Sequence, residues 1–175
     1  RFVELTKDKG LKTAALKANG GAAFYKTFVG CGAESVRHVV EGEGGLTPGR
    51  VAEALAAAGT ASLDNLVVHV DWNQASIDSN RVCREDGTPG DYVQWTPAEL
   101  FYLHDWNVIE VPDGRDFQQV IAAQRMAASM ATGQPTVVVY RTVKGWGYGI
   151  EGRASHGAGH KLCSDGFYHA LAELS

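Results

Sequence analysis

Two polar side chains in this sequence stand directly after apolar runs and have the chemistry of metal ligands. Glu43 lies in the glycine-rich segment Gly42 to Gly45, after the apolar run Ser35 to Val40, and Asn73 follows the run Leu66 to Val70. Carboxylate and amide oxygens suit a hard cation such as Mg²⁺ or Ca²⁺. Glycines beside Glu43 would let backbone N–H groups reach phosphate oxygens without a Cβ in the way. These residues therefore point to a diphosphate bridged by a metal ion.

The same residues also have a simpler interpretation. A short Gly-acid-Gly segment is common, so Gly42 to Gly45 also fits a plain turn. Asn73 also fits the cap of a helix. The spacing alone leaves both interpretations open.

The elements that would position these side chains alternate along the chain. Because strands that alternate with helices form right-handed crossovers, the pattern predicts an α/β fold with a mostly parallel sheet and helices on both faces. Ligands of such sheets bind at the carboxyl ends of the strands, where Glu43 and Asn73 would lie. The predicted strands are Ser35–Val40, Leu66–Val70, Val108–Val111 and Thr136–Tyr140. The predicted helices are Val51–Ala58 (ended by Gly59), Pro97–His104, a helix capped by Asp116 and ended by Gly133, and Gly166–Leu174, with a further helical stretch within residues 1–30.

Length and composition narrow the function classes. The 175 residues predict one domain over residues 1–175, at roughly 150 residues per domain. The net charge of −4 offers no basic surface for nucleic acid or an anionic membrane. The three cysteines form no disulfide pattern, and no apolar run approaches the roughly 18 residues of a membrane span. We therefore expect a cytoplasmic protein that binds neither nucleic acid nor a membrane.

Two segments of the chain resemble one enzyme family. Gly42-Glu43-Gly44, followed about 30 positions later by Asn73, resembles the diphosphate and metal motif of thiamine diphosphate-dependent enzymes. Asn73 to Asp78 resembles the corresponding loop of the transketolase N-terminal, diphosphate-binding domain. Thr142 to Gly147, with Ala154 to Gly157, resembles the later loop whose histidine faces the diphosphate and the substrate. The resemblance covers roughly Gly20 to Gly166 and implies the thiamine diphosphate-binding fold.

The resemblance also implies roles for individual residues. A metal ion, Mg²⁺ or Ca²⁺, would be held by Glu43, Asn73 and the backbone carbonyl of Ala75. His156 would be the catalytic candidate, because an imidazole near its own pKa can donate to a phosphate or substrate oxygen. The residues expected to bind the cofactor are Gly42, Gly44, Gly45, Asn73, Ile77 and His156.

The sequence departs from the family pattern in three respects. Glu43 stands where the family has aspartate, so the carboxylate is one methylene further from the backbone. The upstream histidines of the family have no counterpart before Gly20, and the domain that supplies a glutamate to the aminopyrimidine ring is missing from residues 1–175. We therefore expect a diphosphate-binding module that is a fragment or a subunit of a larger enzyme. It would be inactive without a pyrimidine-binding domain or subunit and would form homo- or hetero-oligomers.

Three functions remain open at this point. His156-Gly157 and Ser76 to Asp78 resemble transketolase, which implies transfer of two-carbon ketol units between sugar phosphates. Trp106 to Ile109 and Lys144 to Gly149 resemble the homodimeric pyruvate dehydrogenase E1 component, which implies decarboxylation of a 2-oxo acid. A relative without catalysis that serves as a structural subunit is the third.

Other polar residues have structural explanations. His156, His160 and Cys163 could contribute to a zinc site only if a further ligand such as Cys83 joined them, since tetrahedral zinc needs three or four ligands. His38, His69 and Asp71 alternate along predicted strands, which favours internally bonded polar structure.

Overall fold

The chain forms a four-stranded parallel sheet. The computed structural model describes residues 36–157 and 159–172. Within them, the strands are β1 (Arg37–Gly42), β2 (Leu66–Trp72), β3 (Asn107–Val111) and β4 (Thr136–Arg141). Their order across the sheet is β1-β2-β4-β3, and each neighbouring pair is parallel. The predicted α/β fold with a parallel sheet is therefore confirmed, while the helical stretch predicted within residues 1–30 lies outside the described residues.

Four helices accompany the strands in the described part of the chain. They are α1 (Gly49–Thr60), α2 (Pro97–Leu103), α3 (Phe117–Ser129) and α4 (Asp165–Leu171). Short 3₁₀ helices occupy Glu43–Leu46 and Gly152–Ser155. The helix α3 ends at Ser129 because Met130 has an extended backbone, so the helix end predicted at Gly133 is wrong. No helix of the described residues has the length and apolarity needed to cross a membrane.

The core lies on both faces of the sheet. On one face, strand residues such as Val68 and Val139 pack with Leu55 of α1 and Phe101 of α2. On the other face, Val67, Val138 and Tyr140 pack with Ala123 and Ala127 of α3. The two central strands, β2 and β4, are apolar on both faces, as parallel strands covered by helices on each side must be. Helices on both faces, as predicted, are therefore present.

Local sequence explains where the helices begin. The Thr96 side chain accepts a hydrogen bond from the Glu99 backbone N–H, and the Glu99 carboxylate accepts one from the Thr96 N–H, which together form a capping box at the start of α2. Pro97 at the first helical position needs no hydrogen-bond partner. Asp116 caps α3 by accepting from the backbone N–H groups of Gln118 and Gln119. These caps fix the polar connections between buried elements.

The register of the sheet brings the ends of three strands together. Gly42 of β1 lies beside Asp71 of β2, and Trp72 of β2 lies beside Arg141 of β4. The residues that follow, Glu43 and Asn73, therefore leave the sheet at neighbouring positions on its carboxyl edge. This is the edge at which open α/β sheets bind ligands.

Gly59 has a different role from the predicted one. The sequence predicts that Gly59 ends α1, but the helix continues to Thr60. Gly59 is buried, and a Cβ at this position would overlap the carbonyl oxygen of His104, just after α2. The glycine is therefore required by the close approach of two backbone segments and not by a helix end.

We predict that Gly59→Ala destabilises the fold although alanine favours helices. The added methyl group must displace the His104 carbonyl, and such overpacking costs about 1–3 kcal/mol of the free energy of unfolding. Gly49→Ala is the matched control in the same helix, because a Cβ there would meet nothing within 4 Å. Urea unfolding monitored by circular dichroism would measure both. Equal or greater stability of Gly59→Ala than of Gly49→Ala would contradict the prediction.

Candidate metal and diphosphate site

Glu43 is the buried acid at the carboxyl edge of the sheet. It opens the 3₁₀ helix Glu43–Leu46 directly after β1, and only 1% of its surface is exposed. Its Oε2 atom accepts a hydrogen bond of 3.2 Å from the backbone N–H of Asn73. Its Oε1 atom is buried and has no hydrogen-bond partner among the described residues. A charged oxygen in that state needs compensation, because an unpaired buried polar group is costly.

The environment of Glu43 shifts its acidity. Burial raises the pKa of Glu43 from 4.5 to about 7, with backbone hydrogen bonds such as that from Asn73 opposing the shift. The neighbouring Asp71 carboxylate also raises the pKa of Glu43. Two acids and no basic partner make this a place where a cation would be stabilised.

Asp71 and Asn73 share a hydrogen bond beside Glu43. The Asn73 side-chain nitrogen donates to Asp71 Oδ2 at 3.1 Å, and the other Asp71 oxygen accepts from the Thr142 hydroxyl, just after β4. The Asn73 side-chain oxygen accepts the Ala75 N–H at 2.8 Å. That bond folds the chain back, so Asn73 and Ala75 form one compact turn next to Glu43.

The three expected metal ligands are thus contiguous in space through hydrogen bonds. Glu43 contacts the Asn73 backbone, and Asn73 contacts the Ala75 backbone. An acid oxygen, an amide oxygen and a main-chain carbonyl form a donor set of the kind that hard cations accept. The buried, unpartnered Glu43 Oε1 is the observation that fits a cation, because a metal ion there would satisfy it.

The glycines around Glu43 differ in their surroundings. A Cβ at Gly44 would meet nothing within 4 Å, so this backbone is open to an approaching phosphate group. A Cβ at Gly45 would overlap the Glu41 carboxylate, so Gly45 makes room for a side chain of the protein. At Gly42 a Cβ would make only an ordinary contact, 3.8 Å from the Asp71 carbonyl oxygen. Of the three expected cofactor-binding glycines, Gly44 is the one whose surroundings fit a ligand best.

His156 and Ile77 are both exposed. The His156 Nδ1 atom lies 3.1 Å from Lys144 Nζ, which places an ammonium group beside the imidazole. Ile77 exposes 78% of its surface. The hydrogen bonds that join Glu43, Asn73 and Ala75 do not include either residue, so their assignment to a cofactor stays a prediction.

A separate contact joins two segments, residues 152–156 with His156 and residues 73–80 after β2, which we call the Asn73 loop. The Asn80 side-chain oxygen accepts the backbone N–H of Arg153 at 2.5 Å, and the Arg153 guanidinium donates to the Asp78 carbonyl at 3.1 Å. Gly152, with φ of +63°, lies where a Cβ would crowd the Asn80 amide. The Arg153 carbonyl in turn accepts the His156 N–H at 3.0 Å. His156 therefore lies three residues after Arg153, which is bonded to the loop that carries Asn73 and Ala75.

The zinc alternative finds no support in the described part of the chain. No group of three or more His, Cys, Asp or Glu side chains there could hold a metal ion. The His160 ring bonds to the Tyr148 carbonyl, and Cys83 is buried with its pKa raised to about 12 by burial and by Glu43 and Glu85. Because no such group lies around Glu43 in the described residues, a cation there would need amide, carbonyl and phosphate oxygens as its further ligands.

The polar residues of the strands behave in two ways. His38 Nδ1 and His69 Nε2 lie 2.9 Å apart, and His69 Nδ1 lies 2.8 Å from the Tyr140 hydroxyl, so these groups bond to one another. Asp71 does not belong to that chain of rings but contacts Asn73 and Thr142. Asp71 is therefore a candidate site residue that the sequence interpretation missed, although it directly follows the predicted strand Leu66–Val70.

Comparison with known proteins identifies what this arrangement is similar to. A family model described as "Transketolase, thiamine diphosphate binding domain" matches residues 8–167. The chain is similar to "Transketolase 1" of Candida albicans, with 32% identity over 123 residues, 70% of this chain and 17% of that protein. It is also similar to "Transketolase 1" of Pasteurella multocida, with 34% identity over 110 residues, 63% of this chain and 15% of that protein.

Solved structures show the same likeness. The transketolase of Pichia stipitis in complex with sedoheptulose 7-phosphate matches with a TM-score of 0.66 and 30% identity, over 80% of this chain and 19% of that one. The transketolase of Leishmania mexicana matches with a TM-score of 0.65 and 27% identity, over 79% of this chain and 19% of that one. The expected thiamine diphosphate-binding fold is therefore confirmed, and the chain spans about a fifth or less of the length of these relatives.

We predict that the metal-free protein loses stability as the pH rises from 4.5 to about 7, relative to Glu43→Gln. The folded protein keeps the Glu43 proton up to about pH 7, whereas the unfolded chain releases it near 4.5. This contribution is therefore fully present below pH 4.5 and lost as the pH passes 7, a change of about 3 kcal/mol.

The measurement is urea unfolding in EDTA across this pH range, for the protein and for Glu43→Gln. The glutamine cannot ionise, so the difference between the two proteins isolates Glu43 from every other titrating group. A difference that does not change with pH would contradict the prediction.

Proposed function

Since the chain belongs to the transketolase family of thiamine diphosphate-binding domains, we propose that it holds the cofactor diphosphate through a divalent cation, Mg²⁺ or Ca²⁺. Glu43, Asn73 and the Ala75 carbonyl are the proposed metal ligands. The open backbone at Gly44 is the proposed contact for a phosphate oxygen, with Gly42, Gly45 and Ile77 along the same two loops.

The observation that carries this proposal is the unpartnered oxygen of Glu43. An acid that is 1% exposed, lies beside a second acid and has one orphaned oxygen is poorly satisfied by the protein alone. A cation between Glu43 and Asn73 would supply the missing partner and favour the charged form of the carboxyl. The cation would also offset the charge of a diphosphate in a protein whose net charge is −4.

The extra methylene of Glu43 fits this role. The side chain reaches as far as the backbone of Asn73, so it spans the gap between the ends of β1 and β2. Mg²⁺ demands near-ideal octahedral geometry at about 2.0–2.1 Å, while Ca²⁺ accepts looser arrangements at about 2.3–2.6 Å. An aspartate here would withdraw the carboxylate from Asn73 and leave more room for the ion.

The proposed reaction is the transfer of two-carbon ketol units between sugar phosphates, by a thiamine diphosphate-dependent transferase. The relatives are named transketolases, and one solved structure holds sedoheptulose 7-phosphate. The bound cofactor supplies an electron sink for a carbanion next to a carbonyl. The part of this chain is to hold the diphosphate end and to present His156, beside Lys144, to a phosphate or substrate oxygen.

Two other functions fit parts of the same chain. The segments Trp106 to Ile109 and Lys144 to Gly149 resemble the pyruvate dehydrogenase E1 component, so decarboxylation of a 2-oxo acid is the alternative reaction. A structural subunit without catalysis is the second alternative. Assays of the complete protein with sugar phosphates and with pyruvate separate the two reactions, and the absence of cofactor binding would favour the structural subunit.

The proposal includes partners and location. This chain would need a pyrimidine-binding domain or subunit, because the site built by Glu43 and Asn73 serves only the diphosphate end of the cofactor. We propose a homo- or hetero-oligomer on the same ground, with residues 1–175 as one diphosphate-binding domain. A cytoplasmic location agrees with Cys83 and Cys163, which are both free.

We predict that Asn73→Ala weakens Mg²⁺-dependent binding of thiamine diphosphate, whereas Glu43→Asp keeps or tightens it. The aspartate leaves more room for the ion, and an ion bound by both residues would replace the Glu43–Asn73 hydrogen bond as the link between them. Removal of a metal ligand should cost at least the 10-fold or so that the loss of an outer-shell partner costs. Calorimetric titration of the complete protein with cofactor at fixed Mg²⁺ measures the dissociation constants. Glu53→Gln on the exposed face of α1 is the matched control for Glu43→Gln, which should weaken binding. A titration that neither Asn73→Ala nor Glu43→Gln changes would overturn the metal site.

We also predict that purified residues 1–175 show no turnover of sugar phosphates or pyruvate with thiamine diphosphate and Mg²⁺. The glutamate that activates the aminopyrimidine ring in this family has to come from another domain. Circular dichroism first establishes that the fragment is folded, and adding the pyrimidine-binding partner should restore activity. Measurable turnover by the fragment alone would refute the prediction.

A further inference from the structure

Gln74 is buried, polar and held in an unusual backbone conformation. It follows Asn73 directly, exposes only 4% of its surface, and has a φ of +63°. For a residue other than glycine, this left-handed conformation is strained and persists only when the surroundings impose it. The contacts of the Gln74 side chain are what impose it here.

The Gln74 amide pairs with the backbone of Cys83 as a strand would. Its Oε1 accepts the Cys83 N–H at 2.8 Å, and its Nε2 donates to the Cys83 carbonyl at 3.1 Å. Cys83 is fully buried. The side chain thereby ties the loop that carries Asn73 to a second chain segment through both backbone polar groups of Cys83.

The same amide also donates to an ion pair, Glu85 with Arg141, that contacts Trp72, the residue before Asn73. Gln74 Nε2 donates to Glu85 Oε2 at 3.2 Å, and Glu85 makes a two-point contact with Arg141 at 2.6 and 3.1 Å. Arg141 Nη1 donates to the Trp72 carbonyl at 3.1 Å. The residues before and after Asn73 are thus both anchored to the Glu85–Arg141 pair.

We propose that Gln74 is a positioning residue of the cation site, whose clamped amide sets where Asn73 and Ala75 present their oxygens. This inference rests on the proposed function, since it assumes that those oxygens bind a metal ion. Asn73 bonds to Glu43 through its backbone N–H and to Ala75 through its side chain, so a rotation of the chain at residue 74 displaces both contacts. Gln74 itself touches neither the cation nor the cofactor.

The test is a double-mutant cycle on Mg²⁺ affinity in the complete protein. Gln74→Gly removes the amide while allowing the positive φ, and should weaken Mg²⁺ binding by about 10- to 100-fold in the presence of thiamine diphosphate. In the Asn73→Ala background, the same change should have a clearly smaller effect, because the Asn73 side-chain oxygen that Gln74 positions is then already lost and only the positioning of Ala75 remains. Calorimetry of Mg²⁺ binding, with no assay of turnover, gives the four constants.

Controls separate positioning from general loosening. Gln94→Ala removes a side-chain amide from the same connection between β2 and α2, where it donates to the Gly90 carbonyl at 2.8 Å. This change should leave Mg²⁺ affinity unchanged. Glu85→Gln keeps the size of the acid but weakens its pairing with Arg141, so it should weaken Mg²⁺ binding even if Gln74→Gly does not fold. If Gln74→Gly weakens Mg²⁺ binding by the same factor in the wild-type protein and in the Asn73→Ala variant, the proposal is overturned and Gln74 has only a structural role.

The outcomes also distinguish this inference from the proposed function. If Asn73→Ala weakens Mg²⁺ binding while Gln74→Gly and Glu85→Gln do not, the Gln74 inference fails and the metal site stands. If Asn73→Ala has no effect, the metal site itself is misplaced and both fail.

Discussion

The hydrogen bond from the Asn73 backbone N–H to Glu43 Oε2 is the interaction on which the site depends. It joins the ends of β1 and β2, and it is possible only because the parallel register sets Gly42 beside Asp71. A shift of one residue would send the carboxylate to the other face of the sheet, since side chains alternate along a strand. Buried and exposed residues alternate along β1, so the packing of its buried face fixes that register and with it the position of the acid.

The buried acid leaves the protein with an electrostatic problem of its own. Glu43 contacts backbone N–H groups and a second carboxylate, and no described ion pair includes it. The ion pair of Glu85 with Arg141 forms hydrogen bonds to Gln74 and to the Trp72 carbonyl, on either side of Asn73. The cationic groups thus hold the frame of the site, while its centre remains acidic.

The fold could be predicted from sequence because it follows from short-range patterns, and the same patterns place the proposed ligands Glu43 and Asn73 just after strands. Apolar runs bounded by polar segments gave strands within one or two residues of their observed limits, as at Leu66–Trp72 and Thr136–Arg141. Asp71 and Gln74 were missed for a physical reason. Their roles come from contacts between distant segments, such as Gln74 with Cys83, and no periodicity records a pairing of that kind. Gly59 was misread similarly, because the backbone it approaches belongs to a segment some 45 residues later.

The anchor between Asn80 and Arg153 has a consequence for movement. The segment that carries His156 joins the Asn73 loop through side chain-to-backbone hydrogen bonds and not through sheet pairing. Such a junction can open locally at a small fraction of the free energy needed to unfold the strands. The segment that carries His156 can therefore separate from the loop that carries Asn73 without any change in the pairing of the strands.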